Sequence, residues 1–127
     1  MEAKIKISDY FDGAAPVLIV NDLKQSIYYG QKNVAKWKED RYVKILPSKS
    51  SAYFCWIEPL ETREIVFKLD INDDKEYDSI NLDFDRYVVI NDNSYWITFF
   101  EGKQRVLIFT NDHNLPQHLL KVSLTIV

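Results

Sequence analysis

Residues 63–71, REIVFKLDI, place Ile65, Phe67, Leu69 and Ile71 on one side of an extended chain and Lys68 and Asp70 on the other. A helix, with its period of 3.6, would scatter that set around its surface, so the stretch predicts a strand with one buried face. YDSINLDF repeats the pattern with Ile80, Leu82 and Phe84, and KVSLTIV with Val122, Leu124 and Ile126. Period-two runs predict strands near 4–8, 16–21, 26–31, 41–46, 52–57, 63–71, 78–84, 86–91, 94–100, 105–110 and 119–127. Only NVAKWKED has helical prospects, for a turn or two. Nine to eleven short strands at regular spacing mean an all-β chain, an antiparallel β-sandwich in preference to a small barrel.

Such a chain must turn often, yet it has 3 glycines and 4 prolines. Asn-Asp occurs at 21–22, 72–73, 91–92 and 111–112, each time after or within a β-rich run. Both side chains bond their own main chain and tolerate left-handed angles, so they serve as punctuation. Glu101-Gly102-Lys103-Gln104 predicts a hairpin between SYWITFF and RVLIFT, and Asn91-Asp92-Asn93 one before it.

At 127 residues the chain is expected to form a single module, residues 1–127. A hydrophobic content of 46% excludes disorder. The net charge of −3 argues against a nucleic-acid partner, which needs a basic face. No apolar run approaches the roughly 20 residues of a transmembrane segment, and the amino terminus lacks the apolar core of a signal peptide. A single cysteine fits a reducing compartment, so the expectation is a soluble intracellular domain.

Cys55 lies in SAYFCWIEPLE, among aromatics, and a catalytic thiol would need a base beside it. His113 and His118 are far along the chain, so Cys55 is read as an inert core thiol. That leaves no catalytic residue, no cofactor and no metal centre. DINDDKEYD carries Asp70, Asp73, Asp74, Glu76 and Asp78, a set that a calcium-binding sandwich could use with Asp83, Asp85 or Asp92; a solvated loop is the simpler reading. Aromatics including Tyr28, Tyr29, Tyr53, Phe54, Trp56, Tyr95, Trp96, Phe99 and Phe100 fall on both faces of their strands. A sandwich buries one face per sheet, so the surplus suits a binding or packing surface.

The landmarks APVLIVND, SIYYGQ, YVKILPSKSSAYFCWIEPLE, IVFKLDI and EGKQRVLIFTND follow one another over roughly residues 4 to 112. Their order resembles one repeat of the adaptor-binding (VAB) region of Vps13-family lipid-transfer proteins. The matching positions are Pro16, Asn21, Gln31, Leu46-Pro47, Trp56, Glu58-Pro59, and Gly102 with Arg105, Val106 and Leu107. Ile57 departs from the pattern, where the family tends to place an acid. Lys121-Val122-Ser123-Leu124 looks like a fresh strand comparable with Lys4-Ile5-Lys6-Ile7, as in a repeat cut from an array within a larger protein.

The resemblance implies a non-catalytic module that recruits its parent protein to organelle membranes and contact sites. Its partners would be adaptor proteins with short proline-containing (Pro-X-Pro) motifs and neighbouring repeats of the same chain. Asn21, the family's characteristic asparagine, would satisfy backbone groups of a nearby loop; Trp56 would anchor the fold, and Tyr28 and Tyr29 stand among the candidate binding aromatics. The rival expectations are a purely structural spacer repeat, a C2-like calcium or membrane module, and a carbohydrate-binding sandwich.

Overall fold

The alternation becomes nine strands in a computed structural model, which describes residues 16–73, 77–112 and 114–115. They are β1 (Val17–Asn21), β2 (Ile27–Gln31), β3 (Lys44–Leu46), β4 (Ser50–Phe54), β5 (Glu64–Lys68), β6 (Ile80–Asn81), β7 (Arg86–Asn91), β8 (Ser94–Glu101) and β9 (Gln104–Thr110). One sheet runs β4-β1-β9-β8-β7 and the other β3-β2-β5-β6, so the fold is a β-sandwich. Pairing is antiparallel except between β1 and β9, which run parallel with Val17 opposite Arg105 and Asn21 opposite Phe109.

Alternate residues build the core. Val17 and Ile19 of β1, Ile27 and Tyr29 of β2, Ile65 and Phe67 of β5, and Leu107 and Phe109 of β9 all face inward. Phe67 meets Phe109 edge-on at 5.0 Å between ring centroids, which ties the two sheets together at their centre. Ile97, Phe99 and Val106 form a second buried cluster on the other side of the five-stranded sheet.

The turns are made as a glycine-poor chain requires. Five main-chain amides, those of Leu23, Asn72, Asp83, Asn93 and Asn114, donate to an Asn or Asp side-chain oxygen two residues back, at 2.8 to 3.0 Å. The β8–β9 hairpin closes at Glu101 opposite Gln104. Its left-handed position is Gly102, at φ 65°, where a Cβ would be strained.

Several expected strands are shorter than the sequence suggests. β5 stops at Lys68, because Leu69 to Asn72 turn away. β6 keeps two residues of the expected 78–84, and β3 begins at Lys44 rather than 41. Lys68 does not face solvent: it is buried, its ammonium 5.0 Å from the Trp37 ring centroid and donating to the Asp73 carbonyl at 2.6 Å. The cover comes from residues 33–43, whose short 3-10 helix, Trp37–Glu39, is the helical turn expected of NVAKWKED. The strands expected near 4–8 and 119–127, His113, His118, Asp74 and Glu76 lie outside the described residues.

Gly30 lets this segment lie close. A Cβ there would stand 2.7 Å from Ala35 Cβ and 2.7 Å from the Tyr42 carbonyl oxygen, both closer than packed atoms allow. Gly30→Ala is therefore expected to cost about 2 kcal/mol, read as a lower midpoint in thermal denaturation.

Candidate functional site

Two buried amides organise opposite ends of the sandwich. Asn21 closes β1 on the same inward parity as Val17 and Ile19, and it is fully buried. Its Nδ2 donates to the carbonyls of Gln25 (2.8 Å), Leu46 (2.9 Å) and Pro47 (3.1 Å), while Oδ1 accepts from the Leu23 amide at 2.9 Å. The loop after β1 is thereby bonded to the turn between β3 and β4. The neighbouring Asp22 accepts from Lys49 at 3.0 Å and from Thr110 at 2.8 Å. The Lys49 hydrogen bond, more than the Thr110 one, holds its carboxyl below the usual range against a smaller opposing effect of burial.

Gln31 closes β2 in the same inward phase as Ile27 and Tyr29, and it too is fully buried. Its Oε1 accepts from the Ile57 and Glu58 amides, both at 2.9 Å, and Nε2 donates to the carbonyls of Glu58 (2.8 Å) and Thr62 (3.3 Å). All four bonds go to residues 57 to 62, the turn in which SAYFCWIEPLE ends. In the sequence Gln31 stands only as a landmark of the family resemblance. The available signal was a polar amide in phase with core positions, where only a satisfied group can stay buried.

Trp56 lies beyond the end of β4 rather than within a strand. It packs partly buried on the core, edge-on to Phe54 at 5.3 Å, and Phe54 in turn meets Tyr29 edge-on at 5.7 Å. The two tyrosines part company. Tyr29 is a core residue, its phenol pushed up in pKa by burial, and so offers no surface to a ligand. Tyr28 points to the opposite side of β2 and is half-buried.

Cys55 is exposed, contrary to the expectation of a core thiol. Phe54 takes the inward position at the end of β4, which turns the next side chain outward on an edge strand. Cys55 is thus expected to react fully with a thiol reagent in the folded protein, and Cys55→Ser to change stability by less than about 0.5 kcal/mol. A thiol that reacts only on unfolding would contradict this placement. Among the described residues, no three His, Cys, Asp or Glu side chains gather as metal ligands.

Among the described residues, β7 leaves one edge of its sheet open. It is the outermost strand of its sheet, and at six residues the longest strand with a neighbour on one side only among the described residues. Tyr87 and Val89 are 41% and 56% exposed. Beside it the sandwich gapes, because β6, at the corresponding margin of the other sheet, has only two residues. A cleft of about 190 Å³ opens there, lined by Phe67, Tyr77, Val88, Val89, Ile90 and Trp96 among others.

The chain is 30% identical over 112 residues, 85% of its length, to the protein titled intermembrane lipid transfer protein VPS13A of Mus musculus. It is 31% identical over 119 residues, 92% of its length, to intermembrane lipid transfer protein VPS13C of Homo sapiens. It spans about 3% of the length of either relative. No protein-family profile matches the chain, and no solved structure matches it. The similarity supports a Vps13-family region.

Proposed function

We propose that this Vps13-like region is a non-catalytic interaction module, which takes short proline-containing segments of adaptor proteins. Through them it would hold a lipid-transfer protein peripherally at organelle membranes and contact sites. The relatives' titles name intermembrane lipid transfer; among the described residues no helix is long and apolar enough to cross a membrane.

The observation that supports this reading is the open β7 edge with a cleft beside it. An extended peptide can add to such an edge through main-chain hydrogen bonds, with alternate side chains read by pockets. Pro-X-Pro suits that geometry for a specific reason. Successive residues of a strand point their N–H and C=O groups to opposite edges, and their side chains to opposite faces. The two prolines, two residues apart, therefore turn their missing N–H groups to the same edge and their rings to the same face. With that edge turned away, X pairs fully with β7 while both rings enter the cleft between the sheets. The outer edge, lacking donors, resists a further strand.

A fluorescent Pro-X-Pro adaptor peptide titrated against the 127-residue chain should bind saturably, equally with calcium or chelator. Replacing both prolines by alanine, or Val89→Lys on the exposed edge, should weaken binding about tenfold. A folded chain that binds no such peptide would be a spacer repeat, and binding that required calcium would favour the C2-like alternative.

A further inference from the structure

We infer that the cleft beside β7 reads charge as well as proline, and takes a lysine or arginine two residues from a proline of the bound segment. The inference rests on the proline-peptide reading and adds a specificity to it. Among the described residues that line the cleft, Asp78 is the one that carries a charge. The rest of the wall is aromatic and aliphatic, with Phe67, Val88 and Trp96 among its side chains.

Asp78 is held in place from both sides. One residue before it, the Tyr77 ring stacks on the core ring of Phe67, 5.1 Å between centroids and 11° from parallel. Two residues after it, Ile80 pairs with Ile65 and is fully buried. The short chain between these anchors puts Asp78 on the cleft wall and leaves it exposed. Among the described residues it makes no ion pair. Arg86, the cation at the start of β7, is turned over the Trp96 ring, 5.9 Å from its centroid, rather than onto Asp78. An acid fixed on an apolar wall with no cation on it favours a ligand that brings one.

Strand geometry fixes where that cation stands. With both proline rings turned into the cleft, the side chains two residues before the first proline and two after the second share their face, each about 7 Å further along. X and the residues directly flanking the prolines point the other way. A lysine or arginine at a shared-face position lays its apolar stem along the cleft wall and brings its charge to the carboxylate. Asp78 shares the cleft with Val88, Val89 and Ile90, in the later part of β7. The pairing cation is therefore the one farther from Arg86, whichever way the segment runs, because Arg86 repels a cation at its own end.

Two end-blocked fluorescent peptides of one composition and one charge make the test. Lys-Ser-Pro-Leu-Pro-Ser-Lys carries its lysines on the proline face, and Ser-Lys-Pro-Leu-Pro-Lys-Ser carries them on the opposite face. A chain of net charge −3 attracts both alike at long range, so a difference between them reports position. Titrated against the 127-residue chain at low salt, the first should bind about three- to fivefold tighter, the scale of a partly exposed ion pair, and the difference should shrink in high salt. Asp78→Asn, at an exposed site, should fold and bring the two peptides to equal affinity. Equal binding of both peptides by the parent chain, or a preference that survives in Asp78→Asn, would overturn this inference and leave the proline-peptide reading standing. Binding of neither peptide would overturn both.

Discussion

Asn21→Ala is expected to destabilise the chain by about 3 kcal/mol and to lower its thermal midpoint by about 10 °C. The side chain has two amide hydrogens and three carbonyls within reach, so one hydrogen is shared. The longest contact, to Pro47, matters least, since that carbonyl also accepts from Ser50 Oγ at 2.6 Å. Alanine withdraws a partner from the carbonyls of Gln25 and Leu46 and from the Leu23 amide, the last two in fully buried bonds. Three such losses at about 1 kcal/mol each give the figure. Asn21→Asp separates bonding from shape: it preserves volume and the acceptor for Leu23, but turns an oxygen toward the carbonyls. It should be at least as harmful as alanine. A midpoint within two degrees of the parent for both variants would mean that Asn21 is an ordinary turn residue.

Gln31→Ala should cost about 3 kcal/mol by the same reasoning, with a different local signature. Its four bonds all end on residues 57 to 62, a turn whose apolar side chains contribute little, with Ile57 and Leu60 exposed. Losing the amide should release that turn selectively. Hydrogen exchange at the Ile57 and Glu58 amides is expected to accelerate by at least tenfold more than exchange in β8 and β9. Uniform acceleration would show that the turn is held by something other than Gln31. Gln31→Glu retains the acceptor for both amides and loses the donor to Glu58 and Thr62, so it tests which half of the side chain matters.

These two residues show how far local pattern reaches. Val17, Ile19 and Asn21, then Ile27, Tyr29 and Gln31, are runs in which the third inward position is an amide. Alternation is enough to put those positions in the inward phase of their strands. It could not reveal the acceptors, because Leu46 and Glu58 stand 25 and 27 residues away in sequence. Cys55 fails for a related reason: an aromatic-rich run looks like core, but parity places the thiol opposite Phe54, and an edge strand leaves that side uncovered. Lys68 fails in the reverse sense, since parity turns it outward and only the residues folded over Gly30 bury it.

The strand periods, the Asx-built turns, the β8–β9 hairpin and hence a two-layer β fold are legible in the chain alone. These features depend on backbone geometry and on neighbours two to four residues apart, which any reader of the chain can see. Long-range packing set the rest: β1 runs parallel beside β9, β7 has a neighbour on one side only among the described residues and lies beside a cleft, and Trp56, Phe100 and Arg105 line one pocket. Those arrangements follow from which sheet edges meet and which loops close over them. Such contacts join residues as far apart as Pro16 and Gln104, 88 positions in sequence, where local propensity carries no information.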